Sequence, residues 1–391
     1  MDISVYISRD VSQKLIKLAG IYPIITVTGP RQSGKTTLCR QMFEQMPYLD
    51  LERLDILTAL SSDPLAFLSQ YPRGAILDEA QRYPDLFSYL QVHVDEDRFD
   101  GNGQRRYILS GSNNFSLLEH VSQSMAGRTA LITLLPLSVK EIERHYGRQG
   151  SDELILNGGY PMVWRTSGDL HPDLFANYYA TYIERDVRRL VNIKDLVQFQ
   201  NFVTLCAGRV GTEFNASTLA VDVGVSVTTI KNWLNVLIAS YVVHMLPPFH
   251  QNIKKRLIKS PKLYFYDTGL VCHLLGINTT KELAAHPLRG GIFENLVVNE
   301  FIKKDYNAGV RASYFFYRDK SREIDLLRHS GGNTMDAYEI KSARTYRTEF
   351  QSNLSYLKGL LGNQINSTTV VCDTDIENVA STEKFINFRN I

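Results

Sequence analysis

The run Ile24-Ile25-Thr26-Val27-Thr28 is apolar and β-branched, and it leads without a break into Gly29-Pro30-Arg31-Gln32-Ser33-Gly34-Lys35-Thr36. No other feature narrows the fold as far. β-branched residues favour a strand, the octapeptide fits GxxxxGK[ST], and Thr37 to Met46 continues with helical spacing. A glycine loop between strand and helix turns backbone N–H groups and the positive helix end toward one point, where only glycine lets the backbone come close. Such a loop cradles phosphate. Gly29, Pro30, Arg31, Gln32, Ser33, Gly34, Lys35, Thr36 and Thr37 form the candidate nucleotide-binding set. Lys35 is placed to reach the β- and γ-phosphates of ATP, and the Thr36 hydroxyl to ligate Mg2+.

A second acidic element follows. Gly74-Ala75-Ile76-Leu77-Asp78-Glu79 reads as a buried strand ending in two carboxylates, at the C-terminal edge where α/β sheets bind ligands. Asp78 is expected to hold Mg2+ through water, and Glu79 to polarise the attacking water. Solvated acids at an ordinary strand end are the plainer account, and it is weak beside a complete phosphate loop.

The order phosphate loop, Asp-Glu strand, then Tyr107-Ile108-Leu109-Ser110-Gly111-Ser112-Asn113 resembles the AAA+ type of ATPase. The resemblance implies a polar sensor of the γ-phosphate at Ser112 or Asn113, with Ser110 also open. It further implies rings in which one subunit's arginine completes its neighbour's site. Arg128, in Met125-Ala126-Gly127-Arg128-Thr129, is the first candidate and Arg185 the second; a surface arginine in an ion pair accounts for either equally well.

The chain has 391 residues, which suggests two or three domains, and 44% hydrophobic with 21% charged residues excludes a disordered or collagen-like protein. Lys plus Arg is 43 and Asp plus Glu is 41, so the net charge of +2 provides no global field for nucleic acid or an acidic membrane. Any nucleic-acid site must be local. The 4 cysteines are widely spaced and form neither a disulfide framework nor a zinc site. With no signal-peptide core and no apolar run near the ~20 residues that span a bilayer, a cytoplasmic location and no membrane partner are expected.

Three regions follow from the changes in periodicity: an α/β unit over 1–150, a helical unit over 151–285 and a mixed α/β unit over 286–391. In the middle one, Ser217 to Leu234 reads as a helix-turn-helix around Gly224. A winged version points Thr228, Thr229, Lys231 and Asn232 outward and packs Ile230, Trp233, Leu234 and Leu237 inward. The strand Tyr241 to Leu246 and a basic stretch, Lys254, Lys255, Arg256, Lys259 and Lys262, are expected to form the wing. Contact with DNA and a packing role have equal claim on this element.

In the last region, Glu294 opens a helix, Asp325 lies in Arg322-Glu323-Ile324-Asp325, and Glu339 and Lys341 share one face of Ala337-Tyr338-Glu339-Ile340-Lys341. Three carboxylates and an amine can surround one or two Mg2+ or Mn2+ ions that activate water against a phosphodiester. The set resembles the PD-(D/E)XK nuclease superfamily, although Leu326 follows Asp325 directly and no proline precedes it. The chain as a whole resembles a widespread prokaryotic family in which an AAA+ ATPase is fused to a nuclease-like C-terminal domain. Leu135 to Glu141, Gly158 to Pro161, Tyr182 to Val187 and Lys259 to Leu270 carry that likeness. It implies ATP binding and a homo-oligomeric, hexameric ring. Two functions compete: an ATPase coupled to DNA binding or processing by the nuclease-like domain, and a nucleotide-dependent switch or scaffold whose nuclease-like domain is inert.

Overall fold

The computed structural model describes residues 6–99, 105–111, 125, 127–166, 171–182, 196–249, 260–310, 312–319, 322–378 and 384–391. Contacts divide the chain into two compact units. One comprises Met1–Leu137 with Ala239–Tyr241 and Tyr306–Gly309, and the other holds the rest.

The first unit is built on five parallel strands, β1 (Ile24–Thr28), β2 (Tyr48–Asp50), β3 (Gly74–Asp78), β4 (Arg106–Ser110) and β5 (Thr129–Thr133), in the order β2-β3-β4-β1-β5. Every residue of β1 and β3 is buried, as strands flanked on both sides and covered on both faces require. The two-residue period sorts the side chains between two cores. Ala75, Leu77, Tyr107 and Leu109 face a cluster with Leu60, Phe87 and Leu90, while Ile76, Ile108, Ile25 and Val27 face Val11, Leu15 and Leu38. Gly74 opens β3 at φ 89°, where a Cβ would lie 1.7 Å from the Arg106 carbonyl oxygen, so only glycine lets β3 and β4 pair there.

The second unit begins at Ser138, ahead of position 150, and takes in both later regions except Ala239–Tyr241 and Tyr306–Gly309. Ser138 and Glu141 form a capping box that starts the helix Val139–Tyr146. The helices Ala216–Val223 and Val227–Ala239 are joined through Gly224 at φ 79°, with Asn215 capping the first. Ile230, Trp233, Leu234 and Leu237 are buried, and Thr228, Lys231 and Asn232 are exposed. Two short antiparallel strands follow, β6 (Val243–Leu246) and β7 (Lys262–Phe265).

The end of the chain runs helix Arg289–Ala308, β8 (Tyr314–Asp319), β9 (Arg322–Gly331), β10 (Thr334–Lys341), helix Ser352–Leu361 and β11 (Ile365–Cys372), with β12 (Phe385–Asn387) last. The sheet order is β12-β11-β10-β9-β8. Strands β8, β9 and β10 are antiparallel neighbours, whereas β10 and β11 are parallel across the intervening helix. Ile324, Leu327, Ala337 and Val370 form a core with Leu354 and Leu357 of that helix. Among the described residues no helix is long and apolar enough to cross a membrane.

Candidate functional site: a phosphate loop and a carboxylate cluster

Gly29 leaves β1 at φ 137°, and a Cβ on it would meet the Leu134 carbonyl oxygen at 2.1 Å, which explains the glycine at this position. Gly34 takes φ 93° as the residue before the helix Lys35–Met42, and Gln32 is also left-handed at φ 61°. The loop is pinned from outside the motif: the buried Arg9 guanidinium donates to the Ser33 and Leu135 carbonyl oxygens, each at 2.7 Å. Lys35 Nζ donates to the carbonyl oxygens of Gly29 at 3.1 Å and Pro30 at 2.8 Å. Burial pushes its ammonium down to about 8 against the pull of Glu79 and Asp78. Ser33 Oγ is buried with no hydrogen-bond partner. Arg31 is half-buried and Thr37 exposed.

The ends of β1, β3 and β4 bring the remaining groups to the same edge. Thr36 Oγ1 and the Tyr48 hydroxyl each donate to Asp78 Oδ2 at 2.7 Å, and Ser110 Oγ donates to Asp78 Oδ1. Glu79 turns the chain at φ 52°, a left-handed position uncommon outside glycine, and its carboxylate accepts from Gln81 Nε2. The Arg40 guanidinium lies 4.8 Å from the centre of the Tyr48 ring. Thr36, Thr37, Arg40 and Tyr48 line a cleft of about 480 Å³ beside the loop.

Arg128 stands elsewhere. Its carbonyl accepts from Ile24 N, the first residue of β1, so it sits at the opposite edge of the sheet from the loop. Its guanidinium grips both Asp95 oxygens, at 2.7 and 2.6 Å. Ser112, Asn113 and Arg185 lie outside the described residues.

The second cluster gathers Glu294, Asp325, Glu339 and Lys341 in one place. Lys341 Nζ is 2.7 Å from Glu339 Oε1 and 3.8 Å from Asp325 Oδ2, and the second Asp325 contact is the Ile340 amide at 2.7 Å. Asn353 Nδ2 donates to Glu339 Oε1 at 3.4 Å, while Glu339 Oε2 is buried without a partner. Burial and the Asp325 charge push both Glu294 and Glu339 upward, against Lys262 and Lys341 respectively.

One expectation is corrected here. Lys262 is not a phosphate-contacting wing residue: its side chain is 3% exposed, and its ammonium lies 3.0 Å from Glu294 Oε1 and 2.6 Å from Glu323 Oε1. The Tyr264 hydroxyl also donates to Glu294. Lys254, Lys255, Arg256 and Lys259 lie outside the described residues. Lys262 is paired with one oxygen of Glu294 and Lys341 with one oxygen of Glu339, and among the described residues no three His, Cys, Asp or Glu side chains are grouped as metal ligands.

Residues 22–143 match the family described as AAA domain, and 148–281 and 289–390 match two domains of unknown function, DUF8612 and DUF4143. Uncharacterized protein Rv2008c of Mycobacterium tuberculosis and uncharacterized protein Mb2031c of Mycobacterium bovis are each 31% identical over 339 residues, 86% of this chain and 74% of theirs. The chain belongs to their family. It carries an AAA-type P-loop domain, and the matched span encloses the loop, Asp78, Glu79 and Arg128. Among solved structures, the Walker-type ATPase PABY2304 of Pyrococcus abyssi is similar at 15% identity and TM-score 0.46, covering 68% of this chain and 95% of that one. Cdc6p of Pyrobaculum aerophilum is similar at 13% identity and TM-score 0.33, covering 70% and 96%. At these scores the likeness assigns no function.

Sequence reasoning missed Arg9, Tyr48 and Gln81 at the first site and Lys262, Tyr264 and Asn353 at the second. A signal existed for one pair: Lys262 and Tyr264 are two apart on a strand, and so share a face.

Proposed function

We propose that the protein is a cytoplasmic AAA+ ATPase, assembled as a ring, in which ATP binding and hydrolysis switch the state of a C-terminal nuclease-like domain that does not itself cut. The observation that carries the ATPase half is the convergence of Thr36 and Ser110 on Asp78, beside Lys35 and the glycine loop. The partnerless Ser33 hydroxyl and the Lys35 ammonium, held only by loop carbonyls, both suit phosphate oxygens as stronger partners. Thr36 and Asp78 present the hard oxygen donors that Mg2+ prefers. Held by them, Mg2+ would supply charge balance for the nucleotide phosphates. Lys35 would move from the carbonyls to the phosphates. Glu79, held by Gln81, would orient the water that attacks the γ-phosphorus as ADP departs.

Arg128, at the far edge of its own sheet, cannot serve its own loop, and this supports its action on a neighbour's nucleotide once released from Asp95. The three-part division at about 150 and 285 is supported by family spans ending at 143 and 281. The order helix, three antiparallel strands, helix, parallel strand, with Glu294, Asp325, Glu339 and Lys341 together, supports a PD-(D/E)XK-like end domain. The exposed Thr228, Lys231 and Asn232 leave the helix pair open to DNA or a protein partner.

Of the two readings, the switch with an inert nuclease-like domain is favoured over DNA cleavage, because the buried Lys262 ammonium already pairs with Glu294, the leading acid of the set. ATP turnover by the purified chain tests the first half: Lys35→Ala should abolish it. Single- and double-stranded DNA incubated with Mg2+ or Mn2+ tests the second. Cutting that is lost in Asp325→Ala would overturn the inert reading and restore the DNA-processing one.

A further inference from the structure

Lys262 and Tyr264 project from one face of β7 onto Glu294. The ammonium of Lys262 also touches Glu323, and the nearby Asp325 carboxylate helps to hold its charge. We propose that Lys262 is the resident cation of this carboxylate cluster, so that the cluster is a closed ion-pair site that takes no metal. This deepens the inert reading above and rests on it for the comparison with nucleases.

Geometry fixes the lysine in place. Strand β7 is tied to the helix Arg289–Ala308 by three hydrogen bonds to the backbone of Phe265: its N–H donates to Asn295 Oδ1 at 2.7 Å, and its carbonyl accepts from Asn295 Nδ2 at 2.9 Å and Asn299 Nδ2 at 2.7 Å. The strand is paired on one side with β6, Lys262 opposite Leu246, and bridges to Glu213 as well. Glu294 is on that same helix, one residue before Asn295. The clamp that holds the strand therefore also holds lysine and glutamate together. A lysine that withdrew to admit a metal would have to break this clamp or abandon its buried position.

Both ammoniums of the cluster are already paired. The four carboxylates Glu294, Glu323, Asp325 and Glu339 meet two ammoniums, Lys262 and Lys341, each within 3.0 Å of at least one carboxylate oxygen. A divalent ion bound through Glu294 Oε1 would compete with the buried Lys262 ammonium for that oxygen. Stranding a buried charge is costly, and Mg2+ or Mn2+ also demands several unshared oxygens. Among the described residues, Glu339 Oε2 is the carboxylate oxygen of the cluster that is buried without a partner.

The test is direct metal binding by the full chain, read as loss of the free Mn2+ electron paramagnetic resonance signal. Asp78→Asn removes the contribution of the phosphate loop. With Lys262 intact, this protein should leave the signal undiminished at millimolar Mn2+. Adding Lys262→Met should create a Mn2+ site, which Asp325→Asn then removes. If the single change prevents folding, Lys262→Gln with Glu323→Gln removes the ammonium together with one of its carboxylates and carries the same readout. Mn2+ bound by the Asp78→Asn chain with Lys262 intact, and released by Asp325→Asn, would overturn the inference. So would a folded Lys262 variant that gains no Mn2+. A chain that takes no Mn2+ at the cluster yet cuts DNA would support the inference while overturning the inert reading, so the two failures are distinct.

Discussion

Thr36 Oγ1 and Asp78 Oδ2 are 2.7 Å apart, so the last residue of the phosphate motif and the last residue of β3 are already joined at the place where the proposed function puts Mg2+. The Tyr48 hydroxyl holds the same oxygen of Asp78. A hydrogen bond to a charged group contributes roughly 1.5–3 kcal/mol. Tyr48→Phe should therefore loosen Asp78 and raise the Mg2+ concentration for half-maximal ATP turnover roughly tenfold, with Mg2+-free nucleotide affinity unchanged. Titrating Mg2+ in a phosphate-release assay checks this, and an unaltered Mg2+ requirement would remove Tyr48 from the site.

The first unit was largely legible in the sequence because its chemistry is local. Eight consecutive residues define the loop, and the strands read at Ile24 to Thr28 and from Gly74 formed as Ile24–Thr28 and Gly74–Asp78. The partners that complete the site are not local. Arg9 is 24 residues from Ser33 and 126 from Leu135, and Tyr48 is 30 from Asp78, and no spacing rule spans such gaps. Lys262 shows the opposite failure. Its neighbours in sequence are basic, so it read as part of a solvated stretch, whereas strand pairing turns it inward onto Glu294. Glu339 and Lys341 were readable as a pair because a strand's two-residue period is rigid.

Lys35 predicts a proton uptake. Burial lowers its ammonium to about 8, and phosphate oxygens would restore the charge. Above that pH, nucleotide binding should take up a proton, visible by calorimetry in two buffers of different ionisation heat. The sign for stability follows from the same depression. Between about pH 8 and the ordinary lysine range the unfolded chain binds more protons than the folded one, so this group's contribution to stability rises with pH across that window. Lys35→Met should abolish both effects.

Lys262→Met predicts a pH-dependent loss of stability. Removing one partner of a buried pair costs about 3–5 kcal/mol when the other stays charged. Glu294, pushed upward by burial and Asp325, can escape by taking a proton. A carboxyl raised in the fold binds more protons folded than unfolded between the ordinary glutamate range and its raised value, so it favours the folded state as pH falls through that window. Chemical denaturation should find the variant closest to wild type at about pH 6 and furthest from it at about pH 8. A loss independent of pH would mean that Glu294 does not carry the stranded charge.

The account turns on Glu79, whose left-handed backbone and bond to Gln81 place a carboxylate one residue beyond Asp78. The most direct measurement is steady-state phosphate release from ATP by the full chain with Mg2+, alongside ATP binding, for wild type and Glu79→Gln. The prediction is that Glu79→Gln binds ATP as tightly as wild type and turns it over about 10²–10⁴-fold more slowly. Turnover by Glu79→Gln at the wild-type rate, or a wild type that binds ATP and releases no phosphate, would contradict the account.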